Sequence, residues 1–455
     1  MALLAVASCS PAFAQSDAES ASKAPVATPA TSGGQGSPPP GTPSIQSSLG
    51  NYGDPGGIRA FLDAKGIDFA FTYIGEVLGN TSGGVKRGAT YEGRLDATLD
   101  VDLEKLASLK GAALHAEAFQ IHGRGLSGNN TMDLFTVSGI EAYPSTRLYE
   151  AWFEQKFADD KIAVRVGQLG ADTEFFVSQT STLFVSSTYG WPAITADDLP
   201  SGGPAYPLSA LGTRIKVTPF DNFTVLAAIF DGDPAGPYRP GVNNPLPQVR
   251  DNSGTNFRLQ DPPLVMTEAA YAYNQEKSAT ALPGTVKVGY FHHFGQFAAL
   301  DTPITTTNYR GNDGLYGVID QAIYRAPGTD DQGASTFLRI AATPSDRNSI
   351  DFYVDGGVSY KGLIPGRPDD TAGFSAAYGR SSPNLAQTDA LTGALVHDYQ
   401  ALIEATYQIA ILPGFTIQPD FQYIFHPGAH GVADPATGLP IRDAAIFGLR
   451  ATAHY

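Results

Sequence analysis

Residues 89–103 alternate without a break. Tyr91, Gly93, Leu95, Ala97, Leu99, Val101 and Leu103 fall on one side, and Glu92, Arg94, Asp96, Thr98, Asp100 and Asp102 on the other. Side chains along an extended strand point to opposite faces in turn, so one face of this segment is oily and the other charged. No soluble sandwich core needs six consecutive polar partners on one strand. A water-filled lumen does, with the oily face turned to lipid.

The same period recurs. Tyr149, Ala151, Phe153 and Phe157 oppose Glu150, Trp152, Glu154 and Lys156, and Phe352, Val354, Val358 and Tyr360 oppose Asp351, Tyr353, Asp355, Ser359 and Lys361. Phe415, Ile417, Phe421, Tyr423 and Phe425 oppose Thr416, Gln418, Asp420, Gln422 and His426. The chain ends in the pattern too, with Phe447, Leu449, Ala451, Ala453 and Tyr455 facing away from Gly448, Arg450, Thr452 and His454. A terminal strand frays unless it has neighbours on both sides. Closure onto the first strand supplies the missing neighbour and leaves no edge in lipid.

Strands are expected near 67–78, 89–103, 111–122, 146–157, 161–170, 210–219, 222–231, 263–274, 283–294, 313–326, 334–343, 349–361, 371–380, 398–409, 414–426 and 445–455. The number is sixteen, and an even number allows antiparallel closure. Ten residues tilted by about 40° span about 25 Å, the height of an outer-membrane apolar band. Turns such as "FADDKI", "TPFDNF" and "ILPGF" alternate with long loops. The fold class is therefore all-β: a transmembrane antiparallel β-barrel of about sixteen strands occupying 67–455, with a short helix at 51–66 carrying Ile58, Phe61, Leu62 and Lys65 at helical spacing.

Composition agrees with a wall of this kind. Charged residues are 16% of the chain, well under the roughly 25% of a soluble protein. Mean hydropathy is nevertheless −0.12, and no internal apolar run approaches the about 18 residues of a membrane helix. A net charge of −16 without a basic stripe excludes a nucleic-acid partner.

The N-terminus, "MALLAVASCSPAFAQ", carries an A-x-A-like cleavage pattern at Ala12-Phe13-Ala14. Residues 1–14 are expected to be a signal peptide directing export to the outer membrane of a Gram-negative cell. Lipidation at Cys9, after Val6-Ala7-Ser8, is the alternative. Residues 15–50, rich in Ser, Pro and Gly, are expected to form a disordered leader.

Five stretches, "GDPGGIRAFLDAKGIDFAFTYIGEVLGN", "RLYEAWFEQKFADDKIAVRVGQLGADTEFF", "STYGWP", "GLIPGRPDD" and "PDFQYIFHPGA", occur in the order found in the carbohydrate-selective porin (OprB-like) family, which the chain resembles from about residue 50 to 455. The resemblance implies a sixteen-stranded outer-membrane barrel passing sugars such as glucose by facilitated diffusion. Many outer-membrane barrels end on an aromatic that the barrel-assembly machinery reads, usually Phe; Tyr455 is expected to serve in that place.

Residues 171–209 hold Phe175, Phe176, Phe184, Tyr189, Trp191 and Tyr206 with Asp197 and Asp198. So many aromatics are poorly solvated in an external loop, and this insert is expected to fold inward as the constriction. Sugar passage needs hydroxyl-bonding groups and flat apolar faces. Candidates on the lumen side are Glu150, Trp152, Glu154, Arg94, Asp96, Arg165 and Arg214, with Trp191 from the insert. Trp152 has a competing structural role, packed against an inner segment. "GLIPGRPDD" reads as a tight turn, or as a contact of Arg367 with Asp369 or Asp370 that fixes a loop.

No catalytic function is expected. His292 and His293 point to opposite faces of one strand, and the zincin, nucleophile-elbow, P-loop and dinucleotide patterns are missing. Glu150 and Glu154 could suggest glycosidase chemistry, but acids are spread over many strands. The eight histidines read as scattered lumen or rim residues, so neither metal nor cofactor is expected. Competing functions are a non-transporting surface barrel and a secreted all-β carbohydrate-binding protein. Self-association is left open.

Overall fold

The structure is a computed structural model describing residues 43–276, 279–300, 308–329 and 331–455. Residues 1–14, and the leader as far as residue 42, lie outside the described residues. Sixteen antiparallel strands form a closed barrel in which each strand pairs with its sequence neighbours. They are β1 Ile67–Ser82, β2 Gly88–Asp102, β3 Ala112–Gly123, β4 Ser145–Phe157, β5 Ile162–Leu169, β6 Ala210–Phe220, β7 Phe223–Phe230 and β8 Leu264–Tyr273. The second half comprises β9 Gly284–Ala298, β10 Asn308–Arg325, β11 Gly333–Ala342, β12 Ile350–Lys361, β13 Thr371–Ser381, β14 Tyr399–Leu412, β15 Phe415–Phe425 and β16 Ala444–His454. Every strand expected from the alternation is present. β1, β9 and β10 run four or five residues further toward the long-loop end than expected, where hairpin arms rise beyond the oily band.

Closure falls where the terminal pattern requires it. β1 pairs with β16 from Thr72↔His454 through Asn80↔Ile446. Phe71 and Tyr455 exchange backbone hydrogen bonds of 2.9 and 2.8 Å, and the Tyr455 hydroxyl donates to the Gly53 carbonyl at 2.6 Å. The Arg59 guanidinium lies 5.2 Å from the Tyr455 ring centroid, so the N-terminal segment covers this seam.

That segment differs from expectation in detail. Ile45–Tyr52, assigned mostly to the leader, forms a 3-10 turn. The helix, α1, is confined to Ile58–Asp63 and leaves Ile58 and Phe61 exposed. Its first turn is held by the Asp54 carboxylate, which accepts the Arg59 and Ala60 amides at 2.9 and 3.2 Å.

The facing of β2 follows the alternation: Tyr91, Leu95 and Leu99 are exposed on the outer wall, whereas Glu92, Arg94 and Asp96 are buried inside. Two positions depart from it. Leu103 begins a helical turn rather than ending a strand, because the Asp102 side chain caps Leu103–Ala107 by accepting the amides of Glu104 and Lys105. Tyr149, expected toward lipid, is fully buried. The β3–β4 register slips between Glu117 and Ala118, leaving Tyr149 as the extra residue of a bulge and reversing the facing of the residues before it.

The apolar core sits in the lumen. Phe175, Phe176, Phe184, Tyr189 and Trp191 from the β5–β6 connection pack with Tyr316, Phe337 and Tyr353 of the wall. Glycine permits the closest approaches. A Cβ at Gly373 would lie 2.6 Å from Leu183 and 2.9 Å from Phe184, so its absence lets the insert touch β13.

Candidate functional site

The β5–β6 connection crosses the barrel. It leaves β5 after Leu169 and meets successive strands of the wall. The Phe176 amide donates to Glu268 of β8 at 2.9 Å, and the Ser178 hydroxyl to Asp320 of β10 at 2.6 Å. Val185 and Ser186 donate their amides to Glu404 of β14 at 2.5 and 3.0 Å. Gln418 of β15 donates to the Leu183 carbonyl at 2.7 Å. Arg339 of β11 binds the Thr188 and Gly190 carbonyls at 2.8 and 2.9 Å while paired with Asp355 of β12. β14 and β15 lie nearly opposite β5 in the ring, so the insert spans the lumen as a constriction.

Phe175 and Phe176 anchor it; Phe176 stacks on Tyr316 with centroids 4.1 Å apart. The Asp198 carboxylate accepts the amides of Ser349 and Ile350 at 3.1 and 3.3 Å and the Thr343 hydroxyl at 3.1 Å. Burial, then the neighbouring Asp197, pushes its carboxyl well above the ordinary carboxylate range. Asp197 is raised as well, chiefly by burial. Both acids therefore tie the insert to the β11–β12 connection rather than facing open water.

A second inward segment was not anticipated. In the β3–β4 connection, the Leu134 amide donates to Gln400 at 2.9 Å, Gln422 donates to the Val137 carbonyl at 2.9 Å, and the Phe135 carbonyl accepts the Ser187 hydroxyl at 2.7 Å. The run "LFTVSGI" at 134–140 carried the same warning as the first insert, namely apolar residues in what would otherwise be an external loop.

Where the constriction springs from the wall, four charged side chains form an alternating quartet. Arg165 of β5 lies 3.2 Å from Glu154 of β4 and 2.9 Å from Glu174 of the insert. Arg214 of β6 lies 2.9 Å from the same Glu154 and 2.6 Å from the same Glu174. Burial alone would raise the Glu174 carboxyl, but the charges of Arg165 and Arg214 outweigh it and bring it down to about 2. Glu174 was not singled out from the sequence, because its role depends on how the insert folds back.

Trp152 adjoins the quartet. Its ring stacks on His115 at 4.8 Å, the Arg165 guanidinium lies 3.6 Å from its centroid, and its N–H donates to Glu150 at 3.1 Å. Since β3 and β5 flank β4, these partners cover the two sides of the indole. Glu150 is spent on Trp152 and on the Gly170 amide at 2.7 Å. Arg94 and Asp96 pair at 2.6 Å, with the guanidinium 4.8 Å from both Phe119 and Tyr206, and neither retains appreciable exposure. Trp191 is fully buried inside the insert and donates to the Gly202 carbonyl at 3.1 Å. The structure thus brings Glu154, Arg165, Arg214 and Trp152 into one cluster, itself buried with Arg165 and Arg214 3% and Glu154 and Trp152 7% exposed, and leaves Arg94 and Asp96 paired on β2 and Trp191 inside the insert. On the turn after β12, Arg367 grips Asp370 at 2.7 and 2.8 Å, whereas Asp369 is exposed and 3.9 Å from Lys361.

Comparison with known proteins follows the same architecture. Porin B of Pseudomonas aeruginosa is 24% identical over 438 residues, covering 87% of this chain and 90% of that protein. A putative porin QuiX of Acinetobacter baylyi is 22% identical over 430 residues, covering 86% and 92%. The high-pH structure of Pseudomonas putida OprB superposes with a TM-score of 0.75 at 22% identity, covering 88% of this chain and 97% of that one. Residues 86–455 match the model of the carbohydrate-selective porin, OprB family, and the chain belongs to that family of outer-membrane channels, which are not enzymes.

Proposed function

We propose that this porin lets sugars such as glucose diffuse down their gradient across the outer membrane, passing the constriction made by the β5–β6 insert. Support comes above all from the quartet of Glu154, Arg165, Glu174 and Arg214. Carboxylates accept hydrogen bonds from hydroxyls and guanidinium groups donate to them. Opposed charges within one cluster can exchange partners with a polyhydroxylated solute without holding it so tightly that it fails to leave. Trp152, with both ring sides already covered, contributes an edge and keeps Arg165 in place.

Export would be directed by residues 1–14, and insertion by the barrel-assembly machinery acting on the C-terminal strand that ends in Tyr455. The test is swelling of liposomes carrying the purified protein, in glucose and in a charged solute of similar size. Faster swelling in glucose is expected. Equal rates would remove the sugar preference, and no swelling would remove transport. In single-channel recordings, Trp152→Ala and Glu174→Gln should each weaken the block of ion current by glucose; unaltered block in both would take the quartet out of the path.

A further inference from the structure

The long-loop end of the barrel brings together three side chains that the sequence scatters. Asp398 closes the connection into β14, while His426 and His430 bracket the turn after β15. Asp398 Oδ2 lies 2.9 Å from His426 Nδ1 and 3.0 Å from His430 Nδ1. The imidazoles stack with centroids 3.6 Å apart and planes inclined by 22°. All three residues are half-buried.

The surrounding backbone is arranged around this meeting. His426, Ala429 and His430 have φ of 51°, 51° and 62°. Three non-glycine residues in the left-handed region within five positions is an uncommon and costly turn, of the kind that collects at binding sites. It is braced by the His426 amide donating to Asp443 at 3.0 Å, by Gly428 donating to Gln400 at 2.9 Å, and by Asp398 donating its amide to the Ala429 carbonyl at 2.9 Å. The Tyr399 amide occupies Asp398 Oδ1 at 2.5 Å, which leaves Oδ2 turned to the histidines. The Tyr399 ring packs 4.2 Å from His426 and limits its rotation.

Hydrogen bonding satisfies only part of this geometry: His430 Nδ1 and Asp398 Oδ2 are hydrogen-bonded at 3.0 Å. His426 Nδ1, in contrast, is buried and makes no hydrogen bond, although Asp398 Oδ2 is only 2.9 Å away. A cation held about 2.0–2.2 Å from each of two tetrahedral ligand atoms separates them by about 3.4 Å, so a small opening of the 2.9 and 3.0 Å contacts makes room for one. The two nitrogens and one oxygen lie mutually within 4.8 Å, as a shared ion requires.

We propose that Asp398, His426 and His430 bind one divalent transition-metal cation, which ties the β13–β14 loop to the β15–β16 loop at the mouth of the channel. Two imidazole nitrogens with one carboxylate favour Zn2+, Cu2+ or Ni2+ over Mg2+ and Ca2+, which take oxygen ligands. Three protein donors leave a coordination position for water. The site stands apart from the quartet and does not depend on the sugar path.

Full-length protein, folded in detergent micelles, is titrated with Zn2+, with Ca2+ as a competitor, and separately with Co2+ as a spectroscopic probe. One Zn2+ per chain is expected, undisturbed by Ca2+, together with a visible Co2+ absorption from mixed nitrogen and oxygen ligation. His430→Ala and Asp398→Asn should each weaken Zn2+ binding by at least about ten-fold, and His292→Ala should not change it. Zn2+ binding that survives the His426→Ala/His430→Ala double substitution overturns the site, as does equal competition by Ca2+. If the variants fail to fold, judged by heat-modifiable migration, the unaltered protein decides alone: no ligand-shifted Co2+ band, no site.

Discussion

Glu404, on β14, accepts the Ser186 amide at 3.0 Å and so holds the tip of the inward insert against the wall opposite its root. The neighbouring Val185 amide binds the other carboxylate oxygen. Glu404→Ala strands two buried donors, each at about 1–3 kcal/mol. The variant should unfold at lower temperature and show larger single-channel conductance as the tip comes away. Conductance equal to that of the unaltered protein would mean that Arg339 and Gln418 suffice to hold the insert.

Glu174 gives the constriction a defined acid response. Its carboxyl is brought down to about 2 from an ordinary 4.5 by Arg165 and Arg214 against the effect of burial. A depressed carboxyl contributes stability that is complete above its unfolded value and is lost as pH falls toward its folded one. The contribution should therefore persist at pH 5 and disappear between about pH 4.5 and 2. Comparing Glu174→Gln with the unaltered protein across that range checks it. Stability curves that stay parallel from pH 6 to pH 2 would contradict the pairing.

The outer wall should reject charge according to depth. Leu95 and Leu99 both face outward on β2, but Leu95 is near the strand centre and Leu99 is three residues from its end. A cation at the midplane costs about 2–4 kcal/mol, falling toward zero near the interface. Leu95→Arg should impair assembly into liposomes more than Leu99→Arg. Normal assembly of both would invert the facing.

Tyr455 contributes a backbone rung to the closing seam with Phe71 and a hydroxyl contact to Gly53. Tyr455→Phe keeps the rung and the ring, so heat-modifiable folded barrel should form in near-normal yield. Deleting Tyr455 removes both hydrogen bonds of the rung and should lower the yield clearly. A deletion variant that folds as well as Tyr455→Phe would show that the seam closes without its last residue.

Alternation alone determined the wall. A side chain's face on a strand depends on odd or even position, a strictly local property, so residues such as Arg94 and Leu95 declared their sides from sequence and all sixteen strands could be located. The inward direction of the 171–209 insert was legible for a related reason, since Phe175, Phe176 and Trp191 had to escape water. Register shifts and long-range partners carry no such local mark. The bulge that turned Tyr149 inward depends on how β3 and β4 slide past each other. Glu174 meets Arg165 and Arg214 only because the insert doubles back, and Asp398 meets His426 and His430 because β14 and β15 pair with Ala401 opposite Phe425, which sets the ends of their two loops side by side. Those meetings depend on the register in which neighbouring strands pair and on the path the loops take back over them, neither of which the alternation of single residues records.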